Sequence, residues 1–409
     1  MNSGQITRRS VLASAFTGIS AISQTVRAST QRGTVSGSQL GTEYPVIQSI
    51  ADQSPLELSF LKDQFRNLPA WQKIARAKLF DLLYYRPEKV DFQVQLLFRK
   101  EHDGYIEEQF TFQATPHTRV PATLLIPSKG KPPYPGIVAL HDHGGFYLWG
   151  REKLNATEDE HEELKKFKAD AYGGLSIANE LVRQGYVVMT IDMFYWGERR
   201  YLLQQDSEAW KKRPVSLTQD EVNQYNRRSS QNEQLMARAI LTSGATWPGI
   251  MLWDDLRTVD FLSSRPEVDA KRLGCVGLSV GGYRSFLLAA LDPRIKAAID
   301  VGWMTTFGAQ VENHIVNTMG QTFIIPGMYR YFDLPDLAAL IAPRAVMIQM
   351  GSLDKLFPQS AIKAAFTKVE QCYRKAGYPD RQSCRLYRAP HQFNREMQPE
   401  AWEWLKRWV

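Results

Sequence analysis

The chain contains one serine whose surroundings are typical of an enzyme nucleophile. Ser279 lies in Gly277-Leu278-Ser279-Val280-Gly281, a G-x-S-x-G sequence between an apolar run that predicts a strand and a second run that predicts a helix. A serine on so tight a turn leaves no room for side chains two residues before or after it, so glycine is needed at both places. The turn would present the hydroxyl at a helix N-terminus, where backbone N–H groups can stabilise negative charge. The motif therefore predicts a nucleophile elbow.

A nucleophilic serine needs a base and an acid that orients the base, and candidates for both follow in the chain. Asp354 comes just after an apolar run that predicts a strand, and His391 comes after a second, shorter run. Taken alone, Asp354 could be a turn former and His391 a surface histidine. The chain has only seven histidines, however, and this one occupies the place that the order Ser, Asp, His requires. We predict Ser279 as nucleophile, His391 as general base and Asp354 as the orienting acid.

The loop His141-Asp142-His143-Gly144-Gly145 follows another predicted strand and is a candidate oxyanion site. We predict that it donates a backbone N–H, from His143 with Gly144 as the neighbouring candidate, and that Val280 N–H supplies the other donor. A zinc site at His141 and His143 is the alternative. In an H-x-H pair the two imidazoles point the same way only while the strand continues, and no Asp-His sequence follows. We therefore predict no metal.

A third predicted strand is followed by side chains that could contact a substrate. Asp192, Trp196, Glu198 and Arg199 lie within nine residues that also contain Phe194. Aromatic rings beside charged groups would suit a sugar or an aromatic ester. The alternative is structural: Trp196 and Phe194 pack the inserted segment, and Glu198 pairs with Arg199 or another base.

The elements that must position these residues form an alternating pattern. Short, continuous apolar runs are separated by helical segments such as Ile177–Gln184 and Asp254–Ser263, which predicts buried parallel strands in a doubly wound α/β sheet. Three earlier strands, two of which alternate polar and apolar residues, are expected to form one antiparallel edge. The apolar runs are Gly136–Leu140, Tyr186–Ile191, Leu273–Val276, Ala297–Val301 and Ala345–Gln349, and the earlier strands are Val94–Phe98, Tyr105–Phe112 and Ala122–Ile126.

The 409 residues, 44% of them apolar, suit one large α/β domain with insertions. Residues 29–54 are rich in Ser, Thr, Gly and Gln and predict a flexible tail. We assign 55–409 to a single domain. It begins with a helical lead-in over 55–90, interrupted at Pro69. A polar stretch at about 201–250 indicates a cap-like insertion that lies over the carboxyl ends of the strands, where open α/β sheets bind ligands.

The first 28 residues predict a twin-arginine signal peptide. Arg8 and Arg9 precede a weakly apolar stretch, and Val26-Arg27-Ala28 resembles a cleavage site, although Val11 stands where phenylalanine is usual. A periplasmic or secreted protein is expected. The segment carries three arginines and no acid, so its removal lowers the formal net charge of +7 to +4. No basic stripe predicts nucleic-acid binding, and no run of about 18 apolar residues predicts a stable membrane anchor.

Three cysteines occur in the chain. Cys275 lies in the strand before the elbow and is expected to be a buried, unreactive thiol. Cys372 and Cys384 could pair in an oxidising compartment, and the sequence leaves this open. No C-x-x-C spacing of the kind found in metal sites is present.

Together these segments resemble the α/β-hydrolase superfamily, and within it the group of dienelactone hydrolases and acetyl-xylan esterases. The resemblance spans roughly residues 120–400. It implies an α/β-hydrolase fold and the triad roles given above. Two departures matter: Asp142 replaces a glycine that is usual in the oxyanion segment, and the nucleophile is serine where dienelactone hydrolases have cysteine. The stretches that carry the resemblance are 141–145, Ile191 to Arg199, Trp253 to Asp269, the elbow, Gly351 to Asp354, and His391.

The residues and the resemblance predict a serine carboxylic-ester hydrolase that works through an acyl-enzyme and needs no cofactor. Its expected partner is a small-molecule or carbohydrate ester, and no oligomeric state is predicted. A serine peptidase of the same fold is the first alternative. A non-catalytic binding protein is the second, although such proteins usually lose a triad residue.

Overall fold

A mostly parallel sheet forms the centre of the protein. The computed structural model describes residues 37–409, so the predicted signal peptide lies outside the described residues. Within them the sheet has nine strands in the order β1-β2-β3-β5-β4-β6-β7-β8-β9. The strands are β1 Gln95–His102, β2 Tyr105–Thr115, β3 Thr118–Pro127, β4 Tyr134–Leu140, β5 Val187–Ile191, β6 Val268–Leu278, β7 Ile295–Val301, β8 Ala345–Gly351 and β9 Gln382–Tyr387.

The strand directions confirm the predicted doubly wound sheet with an antiparallel edge. β1, β2 and β3 pair antiparallel with one another, and β3 pairs antiparallel with β5. The other neighbours are parallel, so the carboxyl ends of β4, β6, β7 and β8 lie at one edge of the sheet. A residue placed just after any of these strands therefore reaches the same rim.

Helices cover both faces of the sheet, which explains the continuous apolar runs. In β4, Val138 and Leu140 belong to one apolar core, whereas Ile137 and Ala139 belong to the other. Because successive side chains point to opposite faces, a strand buried on both sides needs apolar residues throughout. The helices are α1 Tyr44–Asp52, α2 Leu68–Leu82, α3 Glu162–Tyr172, α4 Ile177–Arg183, α5 Glu208–Lys212, α6 Gln219–Thr242, α7 Trp247–Ser264, α8 Val280–Leu291, α9 Ile315–Thr318, α10 Met328–Tyr331, α11 Ala338–Ile341, α12 Gln359–Ala376 and α13 Gln398–Trp408. Over residues 37–409, none of them combines the length and the apolar composition that a membrane crossing requires.

The segment before the sheet differs from its sequence expectation in two ways. Residues 56–67 form turns rather than a helix, and Pro69 lies in the first turn of α2 instead of interrupting it. Proline is tolerated there because the N–H that it lacks has no intrahelical partner, and the Asn67 side chain caps the helix by accepting from Ala70 N–H. The range predicted as a tail contains α1, which also has a proline, Pro45, in its first turn.

The inserted segment is more helical than its sequence suggests. α6 spans 24 residues, whereas the apolar spacing predicts helix only around Leu235–Leu241. Its start is fixed by a capping box, in which the Thr218 side chain accepts from Glu221 N–H and the Glu221 carboxylate accepts from Thr218 N–H. Few of its residues are buried, so the apolar period is too weak to indicate its full length.

All three cysteines are free thiols. Cys275 and Cys372 are buried and Cys384 is half-buried, so the pairing left open for Cys372 and Cys384 is not made. Burial raises the pKa of each thiol well above its ordinary value, which favours the unreactive protonated form.

Candidate active site

Ser279 lies on the turn between β6 and α8, as the G-x-S-x-G sequence predicts. Its backbone has φ 58° and ψ −122°, a region that residues with a side chain rarely adopt. A side chain on Gly281 would collide with the Leu140 carbonyl, and one on Gly277 would collide with Gly281 itself. Both glycines are therefore required by the close approach of β4, β6 and α8. The Ser279 hydroxyl is held at the start of a buried helix.

His391 and Asp354 form a hydrogen-bonded pair at the same rim of the sheet. His391 Nδ1 lies 2.6 Å from Asp354 Oδ2, and the other carboxylate oxygen accepts from Leu356 N–H at 2.9 Å. Because a carboxylate can only accept, Nδ1 carries the proton and Nε2 is left as the basic nitrogen. The Asp354 side chain is 1% exposed and the His391 side chain 26%. The histidine thus faces the open side of the site and the aspartate the closed side.

Backbone hydrogen bonds join the two loops that carry this pair. Ser352 N–H donates to the Tyr387 carbonyl at 2.7 Å, and Leu353 N–H donates to the Ala389 carbonyl at 3.1 Å. The parallel pairing of β8 with β9 continues up to these bonds. The separation between the aspartate and the histidine is therefore set by the sheet rather than by flexible loops.

Two cavities meet at Ser279 and His391. One has a volume of about 250 Å³ and the other about 310 Å³, and both contain Gly144 as well. Neither is lined by a lysine or an arginine. A larger cavity of about 660 Å³ lies beside Phe80, Trp253 and Arg294 and contacts none of the three candidate catalytic residues. Besides the three shared residues, the smaller cavity is lined by Asp142, Phe167, Asp170, Ala171 and Leu278, and the other by His143, Gly145, Glu233, Trp303, Val316, Thr318, Gly320, Phe323 and Leu356.

The His141 ring holds the loop after β4 against the loop after β5. Its Nε2 accepts from Met193 N–H at 3.1 Å, so Nδ1 carries the proton and donates to the Asp142 carbonyl at 2.8 Å. The ring is fully buried. Burial, and next the Lys153 ammonium, lower the pKa of His141 well below its ordinary value, which keeps the ring neutral.

His143 has the opposite tautomer and contacts the inserted segment. Its Nδ1 accepts from Gly145 N–H at 3.0 Å, so Nε2 carries the proton and donates to Glu233 Oε1 at 2.7 Å. The same carboxylate oxygen accepts from the Tyr147 hydroxyl at 2.9 Å. Sequence reasoning missed Glu233, because nothing distinguishes it from the other polar residues of α6.

The two histidines have no lone pair left for a metal ion. The unprotonated nitrogen of His141 accepts from Met193 N–H, and that of His143 accepts from Gly145 N–H. A neutral imidazole binds a metal ion through this nitrogen. Over residues 37–409 there is also no group of three or more His, Cys, Asp and Glu side chains placed to hold a metal ion.

The four predicted substrate-contact residues do not line either cavity at Ser279. Asp192 is fully buried and accepts from Arg151 N–H at 2.8 Å, from the Arg151 guanidinium and from Glu198 N–H at 2.9 Å. Glu198 also accepts from Arg151, at 2.5 Å. These contacts match the structural alternative rather than a substrate surface: the buried Asp192 carboxylate needs partners within the protein, and Glu198, whose side chain is 34% exposed, shares its arginine partner.

The other two predicted substrate-contact residues also have hydrogen-bond partners within the protein. Trp196 is fully buried and its Nε1 donates to the His143 carbonyl at 3.1 Å. Arg199 is 9% exposed at its side chain and donates to Asp254 at 2.6 Å. Trp196 therefore supports the loop at His143 from inside the protein, and Arg199 joins the loop after β5 to α7.

A sequence profile of the Abhydrolase family matches residues 29–400. The chain belongs to this family. The match confirms the resemblance that the elbow and the loops at Asp354 and His391 indicate. This Abhydrolase family member is also 26% identical over 334 residues to YtaP, a presumed hydrolase of Bacillus subtilis (strain 168), with 82% of this chain and 98% of YtaP covered.

Solved structures with the same fold include two esterases. A presumed acetyl xylan esterase from Bacteroides fragilis NCTC 9343 superimposes with a TM-score of 0.64 and 19% identity, over 86% of this chain and 84% of that one. A glucuronoyl esterase from Solibacter usitatus gives a TM-score of 0.56 and 13% identity, over 83% and 93%. These likenesses confirm the α/β-hydrolase fold of the family member.

Proposed function

We propose that this protein is a serine carboxylic-ester hydrolase. The observation that carries the proposal is the arrangement at the sheet rim. A serine on a strained turn opens onto the same two cavities as a histidine whose Nδ1 contacts a buried carboxylate at 2.6 Å. Acyl transfer requires this combination of a nucleophile, a base and a group that orients the base.

In the proposed mechanism, His391 Nε2 takes the proton of the Ser279 hydroxyl while the serine oxygen attacks the ester carbonyl carbon. The carbonyl oxygen becomes an oxyanion, which Val280 N–H and the N–H groups of His143 and Gly144 stabilise. The alcohol leaves with the proton from His391, and the acyl group stays on the serine. Water, activated by the same histidine, then releases the acid and restores the serine.

We propose a neutral ester, and specifically an acyl ester of a carbohydrate, as the substrate. The cavities at Ser279 are lined by acidic residues, among them Asp170 and Glu233, and by no lysine or arginine, so they disfavour an anionic ligand. Trp303 and Phe323 stack on each other beside this space and offer an apolar surface. The names of the structural relatives, an acetyl xylan esterase and a glucuronoyl esterase, support the same substrate class.

We also propose that the protein is exported by the twin-arginine route, on the strength of Arg8, Arg9 and the stretch that follows them. A polysaccharide substrate outside the cytoplasm would require export. Replacing both arginines by lysine and fractionating the cells tests this. We expect the precursor to remain in the cytoplasm, and periplasmic or secreted protein at the wild-type level would contradict the proposal.

The esterase proposal is tested by p-nitrophenyl acetate turnover with the wild type, Ser279→Ala and the matched control Ser128→Ala. Ser128 is exposed and lies in the turn after β3. We expect Ser279→Ala to lower kcat by about 10⁴-fold or more and Ser128→Ala to leave it unchanged. Equal rates for the wild type and Ser279→Ala would contradict the proposal. Acetylated sugars and glucuronate esters tested side by side would then identify the acyl group and the alcohol.

A further inference from the structure

A buried lysine contacts the loop that carries the proposed oxyanion donors. The Lys153 side chain has no exposed surface, and its Nζ lies 3.0 Å from the Asp142 carbonyl and 3.1 Å from the His143 carbonyl. A carboxylate oxygen of Asp142 lies 3.3 Å away. The ammonium therefore binds two consecutive backbone carbonyls and is neutralised by the side chain between them.

The contacts of Lys153 determine where two N–H groups point. The Asp142 carbonyl shares a peptide unit with His143 N–H, and the His143 carbonyl shares one with Gly144 N–H. Both peptide bonds are trans. In a trans peptide the C=O and N–H vectors are antiparallel. Since both carbonyls face the ammonium, both N–H groups face away from it. Neither donates to a backbone carbonyl in the part of the chain that the structure describes.

Other donors fix each carbonyl separately. The Asp142 carbonyl also accepts from His141 Nδ1 at 2.8 Å, and the His143 carbonyl from Trp196 Nε1 at 3.1 Å. Among these side chains, Lys153 alone binds both carbonyls. It therefore couples the orientation of the two peptide units, which a single oxyanion oxygen must contact together.

Lys153 also contributes charge. Its ammonium lies at the carbonyl ends of both peptide units, where it increases the polarisation of their N–H ends. The Asp142 carboxylate is itself held by the Tyr172 hydroxyl at 2.5 Å, so the pair is fixed on both sides. A buried ion pair contributes little net stability compared with apolar side chains of the same volume. Packing alone therefore gives no reason to have a lysine at this place.

We propose that Lys153 is a positioning residue for the oxyanion hole, acting through the carbonyls of Asp142 and His143. The inference rests on the proposed ester hydrolysis. The N–H groups of His143 and Gly144 form a donor pair because one buried ammonium holds the opposite ends of their peptide units. Both groups of the loop, rather than one, contact the oxyanion.

The test compares Lys153→Met, the double variant Asp142→Asn with Lys153→Met, and the control Lys168→Met. The double variant avoids leaving an unpaired carboxylate in the interior. Lys168 is a matched control because its side chain is 3% exposed and its Nζ also binds a backbone carbonyl, that of Asn155 at 2.6 Å, away from the loop. Active sites are counted by reaction with an organophosphonate to its end point, and melting temperatures report folding.

We expect both Lys153 variants to lose about 10²- to 10³-fold in kcat per titrated site, the loss typical of removing an oxyanion donor. KM should change less than about threefold, and the Ki of a boronic acid, which forms a tetrahedral adduct on the serine, should rise with the loss in kcat/KM. Lys168→Met should lose stability without losing turnover per site.

A purely structural role for Lys153 predicts a different result. The number of active sites that react with the organophosphonate would fall. The kcat per active site and the boronic acid Ki would stay within about threefold of the wild type. That result in the double variant would overturn the inference. A wild type with no turnover and no phosphonate labelling would instead refute the proposed ester hydrolysis, before any lysine variant is measured.

Discussion

Replacing Asp354 by asparagine should invert the tautomer of His391. Asn keeps the shape of the side chain, and Leu356 N–H, which now donates to Oδ1 at 2.9 Å, would select the amide oxygen for that position. The amide NH₂ group would then face His391 Nδ1, which lies 2.6 Å from the present carboxylate oxygen. Because NH₂ only donates, Nδ1 must accept and the ring proton moves to Nε2. A protonated Nε2 cannot take the proton of Ser279.

The size of the effect follows from the geometry of the pair. The alternative amide orientation would place NH₂ against Leu356 N–H, donor against donor, in a site where the Asp354 side chain is 1% exposed and water cannot intervene. The wrong tautomer should therefore dominate. The corresponding substitution in the serine-protease triad lowers kcat by about 10⁴-fold. That factor equals about 5.4 kcal/mol of transition-state stabilisation.

The assay is kcat and KM for p-nitrophenyl acetate, with the melting temperature measured on the same samples. We expect kcat to fall by about 10⁴-fold with KM nearly unchanged, because Asp354 lines neither cavity at Ser279. Asp380→Asn, at an exposed aspartate, is the matched control and should behave as the wild type. A loss below about tenfold in a variant that melts like the wild type would refute the assignment of Asp354.

Three further predictions follow from other contacts. Glu233→Leu should lower kcat by about tenfold, because it removes the acceptor of His143 Nε2–H. Glu233→Gln keeps an acceptor oxygen, so its kcat should stay within about threefold of the wild type. Equal losses of kcat in the two variants would contradict the role of this hydrogen bond. Gly144→Ala should lower kcat by about 10²-fold, and Gly145→Ala should lower it less. Both glycines have positive φ, but only the methyl group of Gly144→Ala would clash, because it would lie 2.5 Å from a carboxylate oxygen of Asp142. Burial raises the pKa of Asp300 well above its ordinary value, so the folded protein keeps a proton that the unfolded chain releases above pH ~4. The contribution of Asp300 to the free energy of unfolding should therefore fall by about 1.4 kcal/mol per pH unit from there up to the folded pKa. The melting temperature of Asp300→Asn should rise relative to that of the wild type from pH 5 to pH 7, and a melting-temperature difference that stays constant over this range would contradict the prediction.

The sheet and the positions of Ser279, Asp354 and His391 at its rim could be predicted because the relevant signals are local. β4 is buried on both faces and so requires an unbroken apolar run. Gly277 is dictated by a contact with Gly281, within the elbow itself, and Gly281 by the carbonyl of Leu140 on the neighbouring strand, but both glycines belong to one short motif. Asp354 and His391 each follow a strand, and the order of parallel strands brings them to one rim. Each of these inferences uses a pattern that a short stretch of sequence contains.

The support around the site could not be predicted, because it joins residues without a shared local pattern. Glu233 contacts His143 across 90 positions of sequence, and it comes from a helix that is mostly exposed. Lys153 is only ten positions from His143 but lies in a polar segment that resembles a surface turn. Asp192 and Arg199 were expected at the substrate surface, since charged residues after a strand suit either a substrate contact or an ion pair within the protein. Only the partners that the fold gives them distinguish these two roles.

The central claim is that Ser279 forms an acyl-enzyme that His391 helps to hydrolyse. The most direct test is the intact mass of the protein shortly after mixing with p-nitrophenyl acetate, followed by peptide mapping. We expect an added acetyl group on Ser279 that decays in the wild type, and no such group in Ser279→Ala. Turnover of the ester by Ser279→Ala at the wild-type rate, or an acetyl group mapped to another residue whose replacement stops turnover, would contradict it.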